Sequence, residues 1–93
     1  MSEGKPEQQD LLVLGQAIGQ IRAERGLSAV DLAAAIGNEQ TLIRALEAGR
    51  LDPSYELLLA LAQGLGVRPS VFIIRAEELK ARRQASGRRG SHD

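Results

Sequence analysis

The chain has 93 residues, 43% of them apolar, with one Phe, one Tyr and no Trp. A chain of that length supports one core, which must be packed from Leu, Ile, Val and Ala; the composition suits closely approaching helices, so a single all-α domain is expected. The absence of cysteine excludes a disulfide framework and a thiolate metal site.

No run reaches the roughly 18 apolar residues that argue a membrane span. The segment MSEGKPEQQD is polar and carries both signs of charge, unlike a signal peptide, so a cytoplasmic protein with no membrane partner is expected. Twelve basic residues balance twelve acidic ones, whereas a nucleic-acid binder usually shows a basic excess. The distribution is uneven. Residues 1–10 hold one lysine against three acids, residues 11–72 five arginines against six acids, and residues 73–93 six basic residues against three acids. The positive charge therefore collects at the C-terminal end.

Residues 1–10 are expected to be a flexible N-terminus, after which Asp10 precedes LLVLGQAIGQIRAERG. There Leu11, Leu14, Ile18 and Ile21 recur at three- and four-residue steps until Gly26 stops the first helix. Ser28 precedes AVDLAAAIG, with Asp31 three residues on as an imperfect capping box, Leu32 and Ile36 on one face, and Gly37 as a left-handed end. Asn38 then reads as the cap of a third helix, in which Ile43 and Leu46 share one face and Gln40, Thr41 and Arg44 another, until Gly49.

Pro53 fits near a helix start and leads into YELLLALAQGLG, so apolar that it should be the most buried helix, closed by Gly64 and Gly66. A fifth helix from Pro69 or Ser70 runs through VFIIRAEELKARR, with Val71, Ile74 and Leu79 available to pack and Glu78 placed to pair with Arg82. The domain is thus expected over residues 11–83. From Gln84 onward QASGRRGSHD has too little apolar content to order itself and is expected to be a disordered basic tail over residues 84–93.

Two short helices joined by a Gly-containing turn form a helix-turn-helix arrangement, in which the second helix is offered to the major groove. The residues carry this further. Arg22, Gly26-Leu27-Ser28, Leu32-Ala33, Gly37, Ile43, Leu46-Glu47, Gly49, Pro53-Ser54 and Leu65-Gly66-Val67 stand at unbroken spacing over about half the chain. In this pattern the chain closely resembles the Xre/Cro-like helix-turn-helix family. The resemblance implies a five-helix lambda-repressor-like domain that binds double-stranded DNA with helix three.

The resemblance further implies that Arg22 pairs with Glu47, tying helix one to the end of helix three; two solvated surface charges are the plainer alternative. It places the base-contacting positions at Gln40, Thr41, Arg44 and Ala45, with Ala29 opening helix two, and Ser28 and Arg50 complete the expected DNA-binding set. Gln40 has the chemistry to pair bidentately with an adenine edge, Arg44 to fork onto guanine or hold a phosphate, and Thr41 to reach a base or phosphate. An ordinary exposed helix face explains the same residues without DNA.

Four residues depart from the family's reading chemistry. Ala29 stands where the family often has a backbone-contacting Gln, Glu39 brings a negative charge toward the phosphates, Leu42 replaces a small polar residue, and Ala45 offers only a methyl group. Glu39 also suits the dipole of a helix N-terminus, and Leu42 extends the core stripe with Leu46.

An enzyme is not expected: the only histidine is His92 in the tail, and no Gly-rich phosphate loop or metal-spaced cluster is present, so no metal and no cofactor are expected. The functional reading is a transcriptional regulator working as a homodimer, with helix five as the interface through Val71, Ile74, Phe72 and Ile73, unless those residues complete the monomer's own core. The rival is a protein-binding version of the fold, such as an antitoxin or a partner of other regulators. That rival predicts an exposed apolar patch at Leu42 and along VFIIRAEEL.

Overall fold

Proline is tolerated at the first position of a helix because the N–H it lacks would have no partner there, and Pro6 opens the first helix of the molecule. The computed structural model describes the backbone of residues 6–92 and the side chains of residues 8–85. Its helices are α1 (Pro6–Glu24), α2 (Ala29–Ala35), α3 (Gln40–Glu47), α4 (Tyr55–Leu65) and α5 (Ser70–His92). No strand occurs among the described residues.

Several boundaries differ from the sequence reading. Helix one begins ahead of Asp10, so residues 6–10 are helical; the rest of the expected flexible segment lies outside the described residues. Helix five continues past Arg83 to His92, because a helix propagates by bonds within its own backbone and needs no apolar residues to do so; Asp93 lies outside the described residues. Gly64 sits inside α4, its Cα pressed toward Ile36 and Leu32, and Gly66 with φ 71° is the residue that ends the helix.

The core gathers one face of every helix. Ile18 and Ile21 of α1, Leu32 and Ala33 of α2, Ile43 and Leu46 of α3, Leu61, Ala62 and Leu65 of α4, and Phe72 of α5 form one buried cluster. A second, smaller cluster joins Val13 and Ala17 of α1 to Ala76 of α5. On α1 the buried apolar side chains are thus Val13, Ala17, Ile18 and Ile21, while Leu11 and Leu14 are only half-buried. The reason is that α1 carries two neighbours, α3 on one side and α5 on another, and its buried stripe widens to meet both.

Apolar composition overstates the burial of α4. Residues 57–60 are half-buried and Tyr55 is 71% exposed, so α4 is no deeper than α1. On α5 the expected packing residue Ile74 is instead 52% exposed, Ile73 is 45% exposed, and Phe72 is the large side chain that goes fully inside. Composition counts apolar residues, but only the position of the neighbours decides which of them are covered.

Candidate nucleic-acid interface

The α2–turn–α3 unit is built from local rules. Ser28 caps α2: its hydroxyl accepts the Asp31 N–H at 3.0 Å, and the Asp31 carboxylate accepts the Ser28 N–H at 3.1 Å, a complete capping box. The Ser28 N–H holds the Asp31 carboxyl below its ordinary pKa, with the Ser28 hydroxyl contributing in the same direction. Gly37 takes φ 68° and lets the chain reverse between the two helices, with the Asn38 N–H returning to the Ala33 carbonyl at 2.8 Å.

Asn38 is not the cap of α3. The cap is Glu39, whose side chain makes no capping bond, while the Asn38 side chain accepts the Glu39 N–H at 2.9 Å. The turn is therefore one residue longer than the sequence suggests, and the first amides of α3 are left without side-chain acceptors from the cap.

Ile43 and Leu46 pin α3 to the core, and Leu42 lies half-buried against the same cluster. Helical geometry then turns the other face outward. Thr41 and Arg44 are exposed, Gln40 and Ala45 half-buried, and Arg50 exposed just beyond the helix end. Ser28 is exposed at the start of α2, with one lone pair of its hydroxyl oxygen engaged as the cap. The Thr41 hydroxyl lies 3.5 Å from the Glu39 carboxylate, a long contact. With the Gln40 amide oxygen turned toward Arg44, the orientation that satisfies donor and acceptor together, it accepts Nη2 at 2.7 Å and Nε at 2.8 Å.

Arg22 fixes the far end of α3. Its Nε donates to Glu47 Oε2 at 2.6 Å, its Nη2 to Glu47 Oε1 at 2.9 Å, and its Nη1 to the Leu27 carbonyl at 2.8 Å. One guanidinium thus joins α1, the α1–α2 turn and α3. The side chains are 20% and 19% exposed, so much of the water that would screen the pair is gone. The hydrogen bond to Glu47 raises the Arg22 pKa, burial opposes the charge, and the Coulombic attraction of Glu47 adds to the rise.

Two residues that hold this joint were not singled out by the sequence reading. A Cβ on Gly15 would run into the Leu46 carbonyl oxygen, and a Cβ on Gly19 would stand 3.1 Å from Glu47 Oε1. The signal was present: two glycines four apart inside one helix lie on one face and cost about 1 kcal/mol each relative to alanine, which calls for a packing reason. Here the reason is the close approach of α3's last turn.

Such an arrangement, with a two-helix motif whose second helix is locked inward by apolar residues and turned outward with polar ones, defines the DNA-binding regulator class of the helix-turn-helix fold. The comparisons with known proteins agree. A helix-turn-helix family model matches residues 18–72, more than half of the chain, and the chain belongs to this Cro/C1-type helix-turn-helix family. The clp gene regulator ClgR from Corynebacterium glutamicum is 27% identical, with a TM-score of 0.82 over 97% of this chain and 92% of that one. The restriction-modification controller protein C.AhdI from Aeromonas hydrophila is 30% identical, with a TM-score of 0.66 over 68% of this chain and 96% of that one.

A different kind of relative appears among curated proteins. Multiprotein-bridging factor 1 from Eremothecium gossypii is 38% identical over 64 residues, which cover 69% of this chain and 41% of that protein. The same factor from Debaryomyces hansenii is 42% identical over 55 residues, covering 59% of this chain and 37% of that protein. The chain thus spans about two fifths of the length of the curated relatives it matches.

Proposed function

We propose that this protein is a sequence-specific transcriptional regulator that reads the major groove with α3. The observation that carries the reading is the division of α3: Ile43 and Leu46 are fully buried, while Thr41, Arg44 and, past the helix end, Arg50 are exposed, and among the described residues neither arginine has a carboxylate within ion-pair distance. Gln40, Thr41, Arg44 and Ala45 face the bases, and Ser28 and Arg50 hold phosphates on either side. The neutral total charge is offset locally, because Arg22 neutralises Glu47 at the end of α3.

The test is a salt titration of duplex binding followed by selection from a random duplex library. Wild type is expected to enrich one sequence and to lose affinity linearly in log salt. Arg50→Ala is expected to weaken all sequences alike and to flatten the salt slope by about one unit, whereas Arg44→Ala relaxes choice at one position. Binding that is indifferent to salt and to both substitutions would remove α3 from the reading role.

The same reading has the protein act as a homodimer, since one helix covers too few base pairs to find its site among many competitors. Ile73 and Ile74 are exposed on α5, and Ile73 joins Tyr55, Leu58 and Pro69 around a shallow apolar recess between α4 and α5. Two-fold pairing there would cover the recess and set two copies of α3 about 34 Å apart, one turn of DNA. Val71 and Phe72 leave the expected interface, being packed into the monomer. Sedimentation at micromolar concentration checks the pairing: a dimer that Ile73→Asp converts to monomer supports it, and a wild-type monomer refutes it.

The second reading, a protein-interaction domain, is favoured by the likeness to multiprotein-bridging factors and by the same exposed α4–α5 patch. Leu42 takes no part in it, because that side chain packs against the core. Under this reading Ile73→Asp abolishes capture of a heterologous partner while duplex binding is weak or lacks sequence preference.

A further inference from the structure

We propose that Gln40 does not read a base of its own but positions Arg44, and that the two residues together select guanine. This rests on the reading of α3 as the helix in the groove and adds which base it takes and how. Gln40 and Arg44 stand four residues apart, one turn along the same face of α3, where side chains meet. With its amide assigned in the orientation that satisfies donors and acceptors together, Gln40 accepts both Nη2 and Nε of Arg44 on its oxygen, at 2.7 and 2.8 Å.

The consequence follows from counting donors and acceptors. A glutamine that reads adenine needs its oxygen to accept from adenine N6 and its nitrogen to donate to N7. In that orientation the oxygen's two lone pairs are both taken by Arg44, so Gln40 has only N–H groups left to offer. Arg44 gives up its Nε edge to Gln40 and keeps the Nη1–Nη2 end, again donors only. A surface that presents donors alone suits the N7 and O6 acceptors of guanine and finds no match for the N6 amino group of adenine.

The partner's neutrality matters as much as its geometry. A carboxylate in place of Gln40 would orient the guanidinium equally well but cancel its charge beside the phosphates. No carboxylate among the described residues lies within ion-pair distance of Arg44, so the guanidinium is held in place with its positive charge intact. A long side chain that is otherwise exposed thereby loses part of its rotamer freedom before DNA arrives, which lowers the entropy cost of the contact.

Selection from a random duplex library with the full chain, carried out for wild type, Gln40→Ala, Gln40→Glu, Arg44→Ala and the double alanine variant, tests the proposal. Wild type is expected to enrich guanine at one position in each half-site, with a preference of roughly tenfold or more. Arg44→Ala removes that preference, Gln40→Ala reduces it at the same position and nowhere else, and the double variant is no worse than Arg44→Ala. Gln40→Glu retains the guanine but binds every sequence more weakly, with a shallower salt slope. A lost adenine preference at a separate position in Gln40→Ala, adding to the effect of Arg44→Ala, overturns the proposal and leaves α3 as the reader. No enriched sequence in wild type, or an unchanged preference in Arg44→Ala, overturns both.

Discussion

Helix α1 holds a neighbour on each side, and the two joints are built differently. Toward α3 it offers Gly15 to the backbone of Leu46 and Glu47 and Gly19 to the Glu47 side chain, and it closes the contact with a bidentate ion pair from Arg22 that is largely shielded from water. Toward α5 it offers Val13 and Ala17 against Ala76, and the ion pairs there are at the surface: Arg75 with Glu24 at 2.8 Å and Lys80 with Asp10 at 2.8 Å. The Glu78 side chain also turns to Arg75, at 3.9 Å, instead of forming the expected pair with Arg82. The first joint ties the end of α3 to α1 through backbone approach and a shielded ion pair. The start of α5 is held by one aromatic anchor, Phe72, buried in the main cluster with Ile18 and Ile21 of α1.

The comparison breaks most visibly at that anchor. Phe72→Ala is expected to cost about 3 to 5 kcal/mol, measured by urea unfolding, since it removes a fully buried ring that the surroundings cannot replace. If the ion pairs held α5, this loss would instead be small.

At the shielded joint, Arg22→Ala is expected to cost about 3 kcal/mol, because it strands the Glu47 carboxylate and leaves the Leu27 carbonyl without its donor. The double-mutant cycle with Glu47→Gln should show a coupling of roughly 1 to 3 kcal/mol, and additive losses would mean that the pair contributes nothing. Gly15→Ala comes next, at about 1 to 3 kcal/mol, since the added methyl must push α3's last turn outward. Duplex affinity should fall further in Gly15→Ala than the stability loss accounts for if the seating of α3 governs reading.

The smallest effect belongs to the exposed joint, and its sign with pH is fixed. The Arg75 hydrogen bond holds the Glu24 carboxyl below its ordinary pKa, so the stabilisation is present above the unfolded value and is lost as pH falls through the lower folded one. Arg75→Ala should therefore be slightly less stable than wild type near pH 7, and the gap should close as pH falls through the lowered Glu24 value. Added salt should narrow the gap at neutral pH, whereas it should barely touch the Arg22–Glu47 coupling.

The sequence by itself determined the helix order, the two-helix motif and the inward face of α3. Periodic apolar residues such as Ile43 and Leu46, the Ser28 cap and the glycine at position 37 act through neighbours a few residues away, so each announces itself locally. Arg22 and Glu47 were legible only through resemblance, being far apart in the chain. What the tertiary structure decided was which apolar residues stay uncovered and which polar side chains are already engaged. Ile73, Ile74 and Phe72 are consecutive-region neighbours of equal hydrophobicity to the eye, and only the placement of α1 and α4 buries one and exposes the others. Gln40 likewise has a free amide in the sequence, and only side-chain geometry in space sets it beside the Arg44 guanidinium, where its oxygen, in the orientation that satisfies both groups, is occupied.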